Sequence, residues 1–271
     1  MDRGVAYDFG FIQIYWYSIF IFLAVFFASI VVIRESKKQK INEDFMVNLI
    51  FYGVLFGLLG ARLYYVLFNL DYYLTNPIEI FEVWHGGLAI HGGLIFGLIT
   101  VILYSRKYKI SSLKVLDIAA LGLILGQAIG RWGNFFNGEA YGPITTLEHL
   151  QALKLPEFII NGMYIDGAYR IPTFLYESVW CFTGFIALAI IRKYRYLKTG
   201  ELTGAYLIWY SLGRIVIEGM RSDSLMLGPF KMAQLISIVL IIVGIIIILI
   251  SRKKGTQFDN LYKQEAKEIN F

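Results

Sequence analysis

The chain has 271 residues, 57% of them hydrophobic, 17% aromatic and 17% charged, with a formal net charge of +5. A soluble domain carries about 25% charged residues, so this composition excludes an ordinary soluble fold. The positive excess reports anchoring to anionic lipid and not nucleic-acid binding.

From the N-terminus, the segment Met1 to Gly10 sets Asp2 and Asp8 against Arg3, and no small-residue cleavage site follows the first apolar run. That run is therefore not expected to be a cleaved signal peptide. Apolar stretches then run from Tyr15 to Ile33, Phe45 to Phe68, Leu88 to Tyr104, Leu113 to Gly130, Thr173 to Ile191, Leu202 to Ile217 and Met232 to Ile250. Each approaches the ~20 residues a helix needs to cross ~30 Å of hydrocarbon, which predicts an all-α polytopic membrane protein of about seven transmembrane helices.

Lys and Arg in short loops stay on the cytoplasmic side. Here Arg34, Lys37, Lys38 and Lys40 follow the first stretch, Arg106, Lys107 and Lys109 the third, Arg192, Lys193, Arg195 and Lys198 the fifth, and Arg252, Lys253 and Lys254 the last. The connection from Asn69 to Trp84 carries Asp71, Glu79 and Glu82 and no Lys or Arg. These loops predict the N-terminus outside and the C-terminus inside. Residues 1–254 form a transmembrane domain in this reading, 141–170 within it a small extracytoplasmic head or lid, and 255–271 a cytoplasmic tail.

Gly53 and Gly57, Gly93 and Gly97, and Gly122, Gly126 and Gly130 fall four apart on helical faces, a spacing that lets helices approach closely. His85-Gly86-Gly87 and His91-Gly92-Gly93 are expected to be irregular backbone facing a cavity, because paired glycines weaken a helix that is just beginning. Cys181 lies inside the fifth stretch and reads as packing. Trp16, Tyr17, Tyr72, Tyr73 and Trp84 fall near stretch ends, as interfacial belts do. Tyr17 and Tyr210 can instead present hydroxyls to a cavity.

The densest polar run is Gly130-Arg131-Trp132-Gly133-Asn134-Phe135-Phe136-Asn137-Gly138-Glu139, set against the end of an apolar helix. An ionisable side chain at bilayer depth costs about 2.5 to 3.5 kcal/mol on insertion scales, so such a cluster marks a substrate site. Arg214, Glu218 and Arg221 are spaced to share one helical face. Pro172 suits a first helical turn, with Tyr176 and Glu177 one turn on. Arg62 and Asp117 complete the inventory, and the bland alternative is that these arginines and acids neutralise one another inside the bundle. His85, His91 and His149 are too scattered to suit a catalytic zinc, and neither a phosphate-binding Gly-Lys-Ser/Thr loop nor a Gly-x-Ser-x-Gly elbow is present. No metal and no cofactor is expected.

His91-Gly92-Gly93-Leu94, the run from Gly130 to Glu139, Pro172-Thr173-Phe174-Leu175-Tyr176-Glu177, and Gly213-Arg214-Ile215-Val216-Ile217-Glu218-Gly219-Met220-Arg221 resemble, in order, the motifs of bacterial prolipoprotein diacylglyceryl transferases. The resemblance extends from about Tyr15 to Lys254. It implies a multi-pass enzyme of the bacterial cytoplasmic membrane. Such an enzyme moves the diacylglyceryl group of phosphatidylglycerol to the lipobox cysteine of a prolipoprotein signal peptide, forming a thioether and releasing glycerol phosphate. It also implies an essential histidine at His91 and two essential arginines at Arg131 and Arg214. Tyr17, Asn134, Glu139, Tyr210 and Glu218 match other functional positions of the family, and Arg221 joins them as a candidate substrate contact.

The chemistry constrains these roles. A cysteine thiol near pKa 8.5 is only a few per cent thiolate at neutral pH, so a base or cation must raise that fraction. Sulfur then attacks carbon while phosphate departs, and arginine can hold the growing phosphate charge with two parallel hydrogen bonds. On this expectation Arg131 and Arg214 clamp the phosphate, Asn134 fixes the headgroup, Glu139 and Glu218 orient the arginines, and His91 handles the thiol proton. A secondary transporter or flippase for an anionic lipid is the alternative, although no pair of repeats is visible. A non-enzymatic assembly factor is a third reading.

Overall fold

The computed structural model describes residues 4–10, 13–83, 86–222, 224–253 and 262. Trp84, His85 and the tail from Gly255 lie outside this set, apart from Tyr262, as do Asp2 and Arg3. All seven apolar stretches form long helices: α1 (Trp16–Lys38), α2 (Glu43–Phe68), α4 (Ile90–Lys107), α5 (Ser112–Asn137), α8 (Thr173–Ile191), α9 (Glu201–Met220) and α10 (Met232–Arg252). Short helices α3 (Leu70–Thr75), α6 (Leu147–Ala152) and α7 (Glu157–Gly162) lie in the connections.

Among the described residues, α1, α2, α5, α8 and α10 are long and apolar enough to cross a membrane. The chain is an all-α polytopic membrane protein. α4 falls short because it begins only at Ile90 and ends in Arg106 and Lys107, and α9 because Glu201, Arg214 and Glu218 interrupt its apolar run.

Two compact units emerge, one from residues before Ile33 and from Asp117 onward, the other from Ile33 to Leu116. In the second unit α2 and α4 pack together. Among the described residues the expected irregular backbone runs over Gly86–Ala89, whereas Gly92 and Gly93 are already helical. Their missing side chains serve close packing instead, since a Cβ on Gly92 would strike the Gly60 carbonyl and one on Gly93 would sit 3.4 Å from that of Gly57.

In the first unit, Gly122 and Gly126 lie against Ala28 and Ala24 of α1, so the glycine stripe of α5 is a packing seam. α8 and α9 are joined by a pair of indoles. Trp180 Nε1 donates to the Trp209 carbonyl at 2.9 Å and Trp209 Nε1 to the Trp180 carbonyl at 3.0 Å, with the rings stacked 4.8 Å apart. Each ring occupies a glycine's space: a Cβ on Gly213 would strike Trp180, and one on Gly184 would strike Trp209. Gly213→Ala is therefore expected to cost about 1–3 kcal/mol of stability by overpacking, read as a lower thermal midpoint of the purified protein.

Asp117 braces the far end of this unit. It is fully buried and accepts from Gly200 N at 2.6 Å, Thr203 N at 2.8 Å and Thr203 Oγ1 at 2.6 Å, capping the start of α9. Among the described residues its hydrogen-bond partners are backbone and hydroxyl groups, not the arginine that simple neutralisation would require. Ser251 Oγ donates to the Thr199 carbonyl at 2.7 Å and draws the end of α10 to the same place.

Residues 141–170 fold as a small head. β3 (Ile144–Thr145), β5 (Ala168–Arg170) and β4 (Tyr164–Ile165) form an antiparallel sheet in that order. With α6 and α7 it surrounds a core of Leu150, Ile159, Ile160, Met163 and Ile165 seated on Phe135 and Phe174. Thr146 caps α6, and the Glu148 backbone N–H and the Thr146 hydroxyl hold the Glu148 carboxyl below its usual range. The hairpin of β1 (Val5–Asp8) and β2 (Gln13–Tyr15), not expected from sequence, precedes α1. A further short hairpin, β6 (Met226–Leu227) and β7 (Phe230–Lys231), joins α9 to α10.

Candidate active site

α5 does not stop at Gly130 as expected but continues through the signature to Asn137. This extension decides which way each side chain points. Gly133, three residues after Gly130, lies against α1, where a Cβ would sit 2.9 Å from the Tyr17 ring. Arg131 and Asn134 are three apart on one face, with Arg131 Nη1 donating to Asn134 Oδ1 at 3.4 Å. Gly138, at φ +68°, then turns the chain, and the Glu139 carboxylate folds back to accept from Asn134 Nδ2 at 2.9 Å and Asn137 Nδ2 at 3.3 Å. Rings hold this end of α5 against the start of α8: Phe135 stacks on Phe174 at 4.7 Å, and Trp132 meets Phe174 edge-on.

Three helices contribute to a chain of alternating charges. Glu177 of α8 receives Arg131 of α5 at 2.6 Å and both its oxygens receive Arg214 Nη1 of α9, at 3.1 and 3.0 Å. Arg214 Nη2 lies 2.8 Å from Glu218, and Arg221 lies 3.6 Å from the same carboxylate. The acids are buried, with 3% side-chain exposure each, whereas the arginines keep 14–18%. The cations thus retain an accessible edge. Tyr210 is within 3.5 Å of Arg131 Nη2.

Three guanidiniums against two carboxylates leave one net positive charge, the complement of a single phosphodiester. Lys231 adds an ammonium beside it, donating to the Glu218, Gly219 and Arg221 carbonyls at 2.7–3.1 Å where α9 ends. Cation placement at a helix C-terminus is favourable. Fourteen residues of α5 separate Asp117 from Arg131, about 21 Å at 1.5 Å per residue. The site therefore lies at the end of the unit opposite the basic helix ends of α8 and α10.

The family model for prolipoprotein diacylglyceryl transferase matches residues 4–250. The chain belongs to the prolipoprotein diacylglyceryl transferase family. Two relatives that carry the name phosphatidylglycerol--prolipoprotein diacylglyceryl transferase illustrate the similarity. That of Bacillus cereus (strain 03BB102) is 49% identical over 264 residues, 97% of each chain. That of Listeria innocua serovar 6a (strain ATCC BAA-680 / CLIP 11262) is 48% identical over 250 residues, 92% of this chain and 90% of the other.

In this transferase-family chain the structure joins Arg131, Asn134, Tyr210, Arg214, Glu218 and Arg221 in one network and sets the Tyr17 ring of α1 against Gly133 of α5. The Glu139 carboxylate binds the amides of Asn134 and Asn137, because Gly138 turns it back over α5, and it reaches Arg131 only through Asn134. The acid that holds Arg131 is Glu177, absent from the expected site set. Its signal was visible as a lone carboxylate in the apolar run from Thr173 to Ile191, which demands a cationic partner. His91 belongs to the other unit, on the first turn of α4, with its ring 6.1 Å from that of Tyr64. Cys181, one turn after Glu177, is fully buried.

Proposed function

We propose that this chain transfers the diacylglyceryl group of phosphatidylglycerol to the lipobox cysteine of a prolipoprotein, in the bacterial cytoplasmic membrane, with the site toward the outer leaflet. A carbon–sulfur bond forms and the carbon–oxygen bond to phosphate breaks. Glycerol phosphate leaves with that electron pair, and the thiol proton passes to a base. The observation that carries the reading is the Arg131–Glu177–Arg214–Glu218–Arg221 ladder, whose net charge and exposed guanidinium edges suit an anionic headgroup.

Arg131 and Arg214 share one carboxylate, so their guanidiniums are close enough to share one phosphate. In this assignment they stabilise the departing phosphate, Arg221 extends the cationic edge, and Asn134, held by Glu139, offers its remaining amide capacity to the headgroup. Tyr210 and Tyr17 bound the site. His91 accepts the thiol proton. The head of residues 141–170, seated on Phe135 and Phe174, stands outside the membrane beside the site, with the N-terminus on the same side.

The test is direct. Purified protein incubated with phosphatidylglycerol and a peptide bearing a lipobox is expected to add one diacylglyceryl mass to the peptide and release glycerol phosphate stoichiometrically. The peptide with serine for cysteine is expected to gain nothing. Lipid consumed without peptide, or peptide modified without cysteine, would remove thioether formation from the proposal.

A further inference from the structure

Arg62 sits in α2, inside an apolar span, where an ionisable group persists only with partners that satisfy it. Among the described residues its hydrogen-bond acceptors are all main-chain carbonyls. Nε donates to the Ile80 carbonyl at 2.9 Å, Nη1 to those of Gly86 and Gly87 at 2.8 and 2.9 Å, and Nη2 to that of Glu79. Its Cζ lies 5.3 Å from the centre of the Tyr73 ring, and the residue is 8% exposed. One rigid, planar fork therefore gathers two separate stretches of backbone, at 79–80 and 86–87.

The second stretch leads directly into the helix that carries His91. Gly86 and Gly87 both have left-handed backbone, φ +89° and +71°, which turns both carbonyls to the same guanidinium nitrogen. A Cβ on Gly87 would lie 2.5 Å from Arg62 Nη1. Ala89 N then donates to the Ala61 carbonyl at 3.0 Å, one residue before Arg62, and Gly92 packs on Gly60. The chain from Gly86 to Gly92 is thus pinned to consecutive residues of α2, and His91 lies within the pinned segment.

We infer that Arg62 is a positioning residue for His91: its carbonyl cage fixes where α4 begins and so where the imidazole stands. The inference rests on the proposed role of His91 in handling the thiol proton. A lysine at position 62 keeps the charge but has one donor centre on a flexible stem, so it cannot hold both stretches.

The test combines Arg62→Lys, His91→Gln and the double variant of the full chain, with turnover and amide hydrogen exchange measured on each. Arg62→Lys is expected to lower kcat by roughly 100-fold, the effect of a misplacement of about 1 Å, with KM for phosphatidylglycerol little changed. Exchange is expected to quicken at 86–90 but not through α2. Because Arg62 acts through His91, adding Arg62→Lys to His91→Gln is expected to cost almost nothing more. Equal proportional losses in both backgrounds, or unchanged exchange at 86–90, would overturn the inference while leaving the role of His91 standing. Wild-type turnover by His91→Gln would instead remove that role and the inference with it.

Discussion

Replacing Arg131 or Arg214 by glutamine is expected to lower kcat by about a hundred- to a thousandfold while the protein remains folded. Donors aimed at charge that develops in the transition state are commonly worth ~3–4 kcal/mol each in a low-dielectric site. The ladder explains why the loss falls on turnover. Without Arg131, Glu177 retains Arg214 at 3.0 Å; without Arg214, Glu177 retains Arg131 at 2.6 Å and Glu218 retains Arg221 at 3.6 Å. Neither substitution strands a buried carboxylate. Release of glycerol phosphate from phosphatidylglycerol, followed beside thermal unfolding, checks the expectation. Activity within a few-fold of wild type for both variants would mean that the phosphate is held elsewhere.

Removing Glu177 is expected to act in the opposite proportion, costing stability first. Its carboxylate is 3% exposed and is the shared counter-ion of two arginines from different helices. Taking away one partner of such a buried group typically costs about 3–5 kcal/mol, because the remaining charges are left uncompensated. Glu177→Ala is therefore expected to lower the thermal midpoint strongly and to abolish turnover. Glu177→Gln keeps the shape and one acceptor, so it should fold better than the alanine variant yet still turn over slowly, since a neutral amide holds neither guanidinium firmly. An excess of anionic lipid is expected to restore part of the lost stability by supplying the missing negative charge. A Glu177→Ala protein as stable and active as wild type would show that the ladder is incidental.

Much of this was legible in the amino-acid order. Seven apolar stretches predicted seven long helices, because the length needed to bury backbone polar groups in hydrocarbon is a local property. Arg131, Asn134 and Glu139 stood out because polar groups are costly beside an apolar helix, and Arg214, Glu218 and Arg221 because helical spacing puts them on one face. The extension of α5 to Asn137 goes beyond the apolar stretch: Gly133 would weaken a helix, yet its bare face admits Tyr17 of α1.

Pairing belongs to the tertiary structure. Which acid serves Arg131 depends on the axial position and rotation of α8 and α9, set by Asp117 capping across 83 and 86 residues and by the indole pair across 29. No local rule relates Glu177 to Arg214, 37 residues away, or predicts that Arg62 binds carbonyls in place of a carboxylate. Sequence alone determined that these groups must be satisfied, since solvation cost follows from residue type and surroundings along the chain. Only the packed helices decided by whom, because side-chain reach is a few ångströms and distance is fixed by contacts far apart in the chain.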